Sequence, residues 1–107
     1  MNVEEISVIE LRELLSDKNP PLILDVRTHP EVATASIEGA IHIPMDAISQ
    51  RMNELDSEAY TVVLCHHGYR SMRVALYLAH HGFERVANIT GGIDAWSCLV
   101  DSSVPRY

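Results

Sequence analysis

The sequence predicts an α/β layer fold, a central and mainly parallel sheet flanked by helices. Three observations predict it. Short apolar runs without polar alternation recur along the chain, the pattern of strands buried on both faces of a parallel sheet. Stretches with helical spacing separate these runs, and strands that alternate with helices build βαβ units. The 107 residues are 47% hydrophobic, enough for a core, and contain no repeat, linker or low-complexity tract, so 1–107 reads as a single domain.

The elements follow in chain order. A short strand is expected near Glu5-Ile6. Ser7-Val8-Ile9-Glu10 has capping-box spacing, with Ser7 placed to cap and Glu10 to reach back. Val8, Leu11, Leu14 and Leu15 then recur at helical spacing, and Asn19-Pro20-Pro21 ends that helix because proline cannot continue it. Leu22-Ile23-Leu24 is a buried-strand run entering Asp25-Val26-Arg27. Ala40-Ile41-His42-Ile43, closed by Pro44, is a second run, with His42 in a structural position. Thr61-Val62-Val63-Leu64 is the clearest strand. A helix is predicted from Ser71 to His81, with Met72, Ala75, Leu76 and Ala79 as its apolar face. Gly82 supplies its left-handed cap, and His80 and His81 sit in the last turn, where positive charge is favoured. Glu84-Arg85-Val86-Ala87-Asn88 is the next strand. Gly91-Gly92 turns into a short last helix anchored by Trp96, and Ser102 to Tyr107 reads as a frayed tail.

Bulk properties exclude several functions. The formal net charge is −7, against nucleic acid as the main partner, since phosphate binding needs a basic stripe. No apolar run approaches the ~20 residues that span a bilayer, so no membrane role is expected. The start, Met1-Asn2-Val3-Glu4-Glu5, is acidic and lacks a secretory pattern, and the chain reads as cytoplasmic and full length. Two cysteines, Cys65 and Cys98, are too few for a disulfide scaffold and fit a reducing compartment.

Chemistry concentrates in Cys65-His66-His67-Gly68-Tyr69-Arg70-Ser71, between the clearest strand and the helix after it. In open α/β sheets ligands gather at the carboxyl ends of strands. A helix amino terminus carries unpaired N–H groups and about half a positive charge, an environment that favours a thiolate. A loop curled round the sulfur would aim several amides inward to hold a thiolate, a persulfide or an oxyanion. Gly68 allows the tight loop, Arg70 adds a forked cation for an anionic substrate, and Ser71 is expected to cap the helix. A lone strand-end cysteine would read as a small buried hydrophobe; glycine, arginine and serine within six residues favour a site instead.

Cys65-x-x-Gly68-x-Arg70-Ser71 resembles the active-site loop of single-domain rhodanese sulfurtransferases. Asp25-Val26-Arg27 resembles that family's signature after its second strand. Glu31 with Ile37-x-Gly39-Ala40-x-x-Ile43-Pro44 resembles the following segment, and Gly91-Gly92-Ile93-x-Ala95-Trp96 its carboxyl-terminal motif. The match spans nearly the whole chain in order. One departure is Ala35-Ser36-Ile37 where the family often has Gly-His-Ile. The resemblance implies a rhodanese-like fold with about five strands and a two-step relay. Cys65 attacks the outer sulfur of a small anionic donor such as thiosulfate and becomes a persulfide, which a thiol, cyanide or protein acceptor then discharges. It further implies that Arg70 orients the donor and that the amides of His66, His67, Gly68, Tyr69, Arg70 and Ser71 hold the terminal sulfur. No metal or organic cofactor is implied.

Two alternatives differ in kind. Cysteine-dependent phosphatases and arsenate reductases use a similar loop with five residues between cysteine and arginine; here there are four, a smaller ring suited to one sulfur. A non-catalytic rhodanese-like binding module would lack the cysteine. Asp25, Arg27 and Glu31 are expected to shape the pocket rim, with Arg27 and Glu31 paired to each other or to nearby backbone. His66 and His67 could add charge beside the sulfur, although outward side chains are preferred for at least one of them. Three consecutive residues cannot easily converge on one metal ion. Arg73 either extends a basic patch or decorates a solvated helix face. Cys98 reads as a small packed residue rather than a resolving thiol.

Overall fold

The computed structural model describes residues 3–107; Met1 and Asn2, which opened the reading of the amino terminus, lie outside the described residues. Five parallel strands form one sheet: β1 (Val3–Ile6), β2 (Leu22–Asp25), β3 (Ile41–His42), β4 (Thr61–Leu64) and β5 (Val86–Ile89), in the order β1-β5-β4-β2-β3. Helices α1 (Val8–Leu15), α2 (His29–Thr34), α3 (Ile48–Arg51), α4 (Tyr69–His80) and α5 (Gly92–Leu99) accompany them, with short 3₁₀ turns at Met45–Ala47 and Met52–Glu54. No helix among the described residues is long and apolar enough to cross a membrane.

Strand parity divides the core. Successive side chains of a strand face opposite sides of the sheet. Val62 and Leu64 of β4 join a cluster with Ile6, Leu11, Ile89, Ile93 and Trp96, beneath α1 and α5. Val63 and Cys65 join the other cluster, with Leu24, Ile43, Ile48, Val74, Ala75 and Leu78, beneath α3 and α4. All four residues of β4 and of β5 are buried, which is why their sequences are mostly apolar without alternation, Thr61 and Asn88 apart.

The helix starts follow local chemistry. Ser7 Oγ accepts the Glu10 N–H at 3.1 Å while the Glu10 carboxylate accepts the Ser7 N–H at 3.1 Å, the reciprocal cap that the spacing predicts. Thr28 and Glu31 form a second such box at the start of α2, a helix absent from the sequence reading. Three expected bounds shift. The Ala40–Ile43 run yields only Ile41–His42, an edge strand paired with Leu24 and Asp25; Pro44 follows too soon for a longer ladder. The run read from Glu84 pairs from Val86. Helix α4 starts at Tyr69 rather than Ser71, because Gly68 at φ +110° serves as its amino-terminal cap residue. The tail is not frayed at its tip: the Tyr107 side chain packs against the site described next.

Candidate functional site

Cys65 directly follows β4, at the carboxyl edge of the sheet between β2 and β5. The order of strands reverses at this place, since the chain runs from β2 toward one edge and from β4 toward the other. The Cys65 sulfur accepts the Gly68 N–H at 3.0 Å and lies 3.2 Å from Ser71 Oγ. Ser71 is therefore not the helix cap. It sits in the first turn of α4, and its hydroxyl joins the sulfur to Asn88 Oδ1 on β5. Asn88 Nδ2 in turn donates to Gly68 O at 3.1 Å, so one amide side chain ties both the hydroxyl and the turn of the loop.

The loop is shaped from behind by α5. Ile93 N–H donates to Cys65 O at 2.9 Å and Asp94 N–H to His66 O at 3.2 Å. With both carbonyls drawn toward the α5 amino terminus, the loop curls round the sulfur. Gly92 makes this contact possible: at φ +58°, a Cβ there would fall 2.4 Å from both carbonyl oxygens. Gly92 thus acts on the cysteine loop, beyond merely opening a helix.

Beside the loop runs a network of charges. Arg27 is fully buried and all five of its N–H groups are used. Nε bonds the Asp25 carboxylate at 2.9 Å, and Nη2 bonds Asp25 Oδ2 and Ala35 O at 2.7 Å. Nη1 donates to Glu31 O at 3.3 Å and to the Tyr107 hydroxyl at 2.9 Å. Arg27 thus meets Glu31 through the backbone carbonyl, one of the two expected pairings, while the Glu31 carboxylate takes Arg70. That ion pair is bidentate, Nη1–Oε1 2.7 Å and Nη2–Oε2 2.9 Å. Arg70, clamped on Glu31, holds that carboxyl far below the usual carboxylate range. Glu31 in turn raises Arg70 above its ordinary value, and the charge of Cys65 adds to the effect.

The other expected site residues divide by position. Tyr69 is 83% exposed, so only its backbone belongs to the loop, and His67 is exposed as well. His66 is half-buried and stacks on the Tyr107 ring at 4.0 Å and 9°. Burial, then the neighbouring His67, pushes its pKa down and favours the neutral ring. His42 Nε2 lies 2.7 Å from Arg27 O. Ala35 and Ile37 of the departing segment are buried, and Ala35 serves the network through its carbonyl. Arg73 is exposed farther along α4. Cys98 is exposed, not packed, because α5 turns Trp96 and Ser97 inward and leaves the next residue outside. Among the described residues, no group of three or more His, Cys, Asp or Glu could hold a metal ion.

Asn88 and Tyr107 are the residues that sequence reasoning missed. Asn88 carried a signal, a polar residue at the end of a buried strand. Tyr107 carried none.

A family model described as a rhodanese-like domain matches residues 7–98. The chain belongs to the rhodanese-like domain family. With three of its relatives the similarity covers almost all of both partners. A protein of Allochromatium vinosum named sulfurtransferase is 38% identical over 95 residues, 89% of each chain. YtwF of Bacillus subtilis is 40% identical over 96 residues, 90% of this chain and 92% of its own. The crystal structure of a rhodanese-like domain protein from Staphylococcus aureus superposes with a TM-score of 0.86 at 32% identity, covering 98% of this chain and 99% of that one. Its rhodanese-like membership accounts for the five-stranded parallel sheet. Tyr107 lies beyond the segment that the rhodanese-like model matches.

Proposed function

We propose that this chain is a sulfurtransferase that carries a sulfane sulfur as a persulfide on Cys65. The observation that carries the reading is the setting of the Cys65 sulfur, bonded by the Gly68 N–H and adjoining the Ser71 hydroxyl inside a loop braced by α5. An N–H donor aimed at an anionic sulfur stabilises it without taking part in the chemistry. Membership of a family whose members include named sulfurtransferases supports the same reading.

The relay has two steps. In the first, the Cys65 thiolate bonds to the outer sulfur of a donor. The donor's S–S bond breaks, and its electron pair leaves with sulfite when thiosulfate is used, or with a thiolate when a persulfide is used. In the second, an acceptor nucleophile bonds to the same sulfur and Cys65 leaves as thiolate. The acceptor is a thiol, free or on a protein; cyanide replaces it in an assay. Cys65 is 1% exposed, so a narrow single-atom tip suits this sulfur better than a bulky electrophile. The backbone of His66 to Ser71 would bear on the transferred sulfur, Arg70 on the remainder of the donor, and Asp25, Arg27 and Glu31 on the pocket rim. A reducing compartment, the cytoplasm, keeps the thiol free.

Mass spectrometry after incubation with thiosulfate or with an organic hydropersulfide tests the proposal. One added sulfur atom on Cys65, lost on adding cyanide and absent from Cys65→Ser, is expected. No added sulfur with either donor overturns it.

A further inference from the structure

Tyr107 lies 80 residues beyond Arg27 in sequence, and its hydroxyl joins two charges. It accepts from Arg27 Nη1 at 2.9 Å and donates to Glu31 Oε2 at 2.8 Å. The ring lies flat on His66, the residue after Cys65. Burial favours the neutral phenol, so the hydroxyl keeps the proton that it donates. On the other side of Glu31, both carboxylate oxygens bind Arg70, and Oε1 also accepts the N–H and the hydroxyl of Thr28. Five donors therefore fix one carboxylate against the one guanidinium of the loop.

The consequence concerns charge. Arg70 is matched by Glu31 and Arg27 by Asp25, while His66 favours its neutral form. Arg73 lines a separate groove with Met45, Ile48 and Tyr77. With Cys65 as thiolate, these residues together carry no positive excess. A dianion entering here must compete with Glu31 for Arg70, and Glu31 is already in place. An organic hydropersulfide carries at most one negative charge, on the sulfur to be transferred, and brings none to Arg70, so it meets no such competition.

We propose that Tyr107 and Glu31 set donor specificity by engaging Arg70 internally, so that the site selects organic hydropersulfides with an uncharged organic group over the thiosulfate dianion. This rests on the sulfur-transfer reading. The favoured step balances: the Cys65 thiolate bonds to the terminal sulfur of RS–SH and the donor's S–S bond breaks. The electron pair leaves on RS⁻, and the proton stays with the transferred sulfur.

The test compares kcat/KM for 2-hydroxyethyl hydropersulfide and thiosulfate, with cyanide as common acceptor. The full chain is expected to favour the hydropersulfide by about 10-fold or more, since one unmatched like charge near the sulfur is a large electrostatic difference. In Glu31→Gln the ratio should move toward thiosulfate by about 10-fold, through a lower KM for thiosulfate. In Tyr107→Phe it should move the same way by about 3-fold, the effect of one hydrogen bond. A ratio that stays constant while both donors weaken together would give these residues a merely structural role and overturn the proposal. So would a full chain that prefers thiosulfate. Absence of persulfide on Cys65 with both donors is a different result, and it overturns sulfur transfer itself.

Discussion

The cysteine loop and the charge network beside it are built in opposite ways. The loop is held through backbone: carbonyls of Cys65 and His66 on α5 amides, the Gly68 N–H on sulfur, and glycines, Gly68 and Gly92, where two backbone segments come close. Two of its side chains, His67 and Tyr69, face outward. The network from Asp25 through Arg27, Tyr107 and Glu31 to Arg70 is held by side chains, nearly every polar atom used. The contrast teaches where each tolerates change. The loop accepts new outward side chains but not a new Cβ behind it. The network accepts no loss of charge at its buried centre.

The sharpest way to break the comparison is at Arg27. Arg27→Met should leave Asp25 buried without its partner and destabilise the protein by about 3–5 kcal/mol, the usual effect of halving a buried ion pair. Urea unfolding measures this. Whatever remains folded should still form a persulfide, because Arg27 does not touch the sulfur. Gly92→Ala should do the reverse. Its Cβ collides with the Cys65 and His66 carbonyls, at a positive φ that alanine adopts only under strain. A stability loss of about 2–4 kcal/mol is expected, from strain and overpacking together. Loading of Cys65 should fall by about 100-fold or more, since misplacing a reacting group by an ångström is that costly. If Gly92→Ala loads sulfur at the normal rate, the loop does not depend on its backing.

Asn88 sharpens the contrast because it is a side chain serving the backbone-built region. Asn88→Leu removes the partner of the buried Ser71 hydroxyl and of Gly68 O, for about 1–3 kcal/mol. Persulfide formation should slow while the Arg70–Glu31 pair survives. Equal rates in Asn88→Leu and the parent would remove Asn88 from the site.

The same contrast explains what could be read from the sequence. Backbone-built features announce themselves through residue types that only backbone geometry needs. Gly68 marked the loop, Gly91-Gly92 marked the turn into α5 though not its backing of the loop, and the apolar runs at Leu22 and Thr61 marked the inner strands. The bounds of α4 slipped because a glycine at positive φ, not the serine two residues inside, begins the helix. Helix α2 was missed although Thr28-His29-Pro30-Glu31 has capping-box spacing, since its six residues are too few to show an apolar period and none is buried. Side-chain pairings across long separations left no local trace. Glu31 and Arg70 are 39 residues apart and Tyr107 lies 76 beyond Glu31. Each was charged or polar for reasons that a linear reading cannot join.

The smallest expected effect tests whether the outer end of the network contributes to stability at all. Glu31 is the carboxylate that Arg70 holds ionised, so its folded pKa lies below that of the unfolded chain. A depressed carboxyl stabilises the fold fully above its unfolded pKa of about 4.3, and the contribution is lost as pH falls through the folded value. Stability measured in urea should therefore be insensitive to Glu31 from neutral pH down to about 5, and decline below about 4.3 as the unfolded state takes up the proton. Glu31→Gln cannot gain that proton. Its stability should be lower at neutral pH, and the difference from the parent should narrow steadily in acid. Partial exposure of the pair keeps the gap small, and salt should shrink it further. A gap that is the same at pH 7 and pH 3 would mean that Glu31 acts through its shape and its bonds to Thr28, and that its charge on Arg70 matters only to the donor.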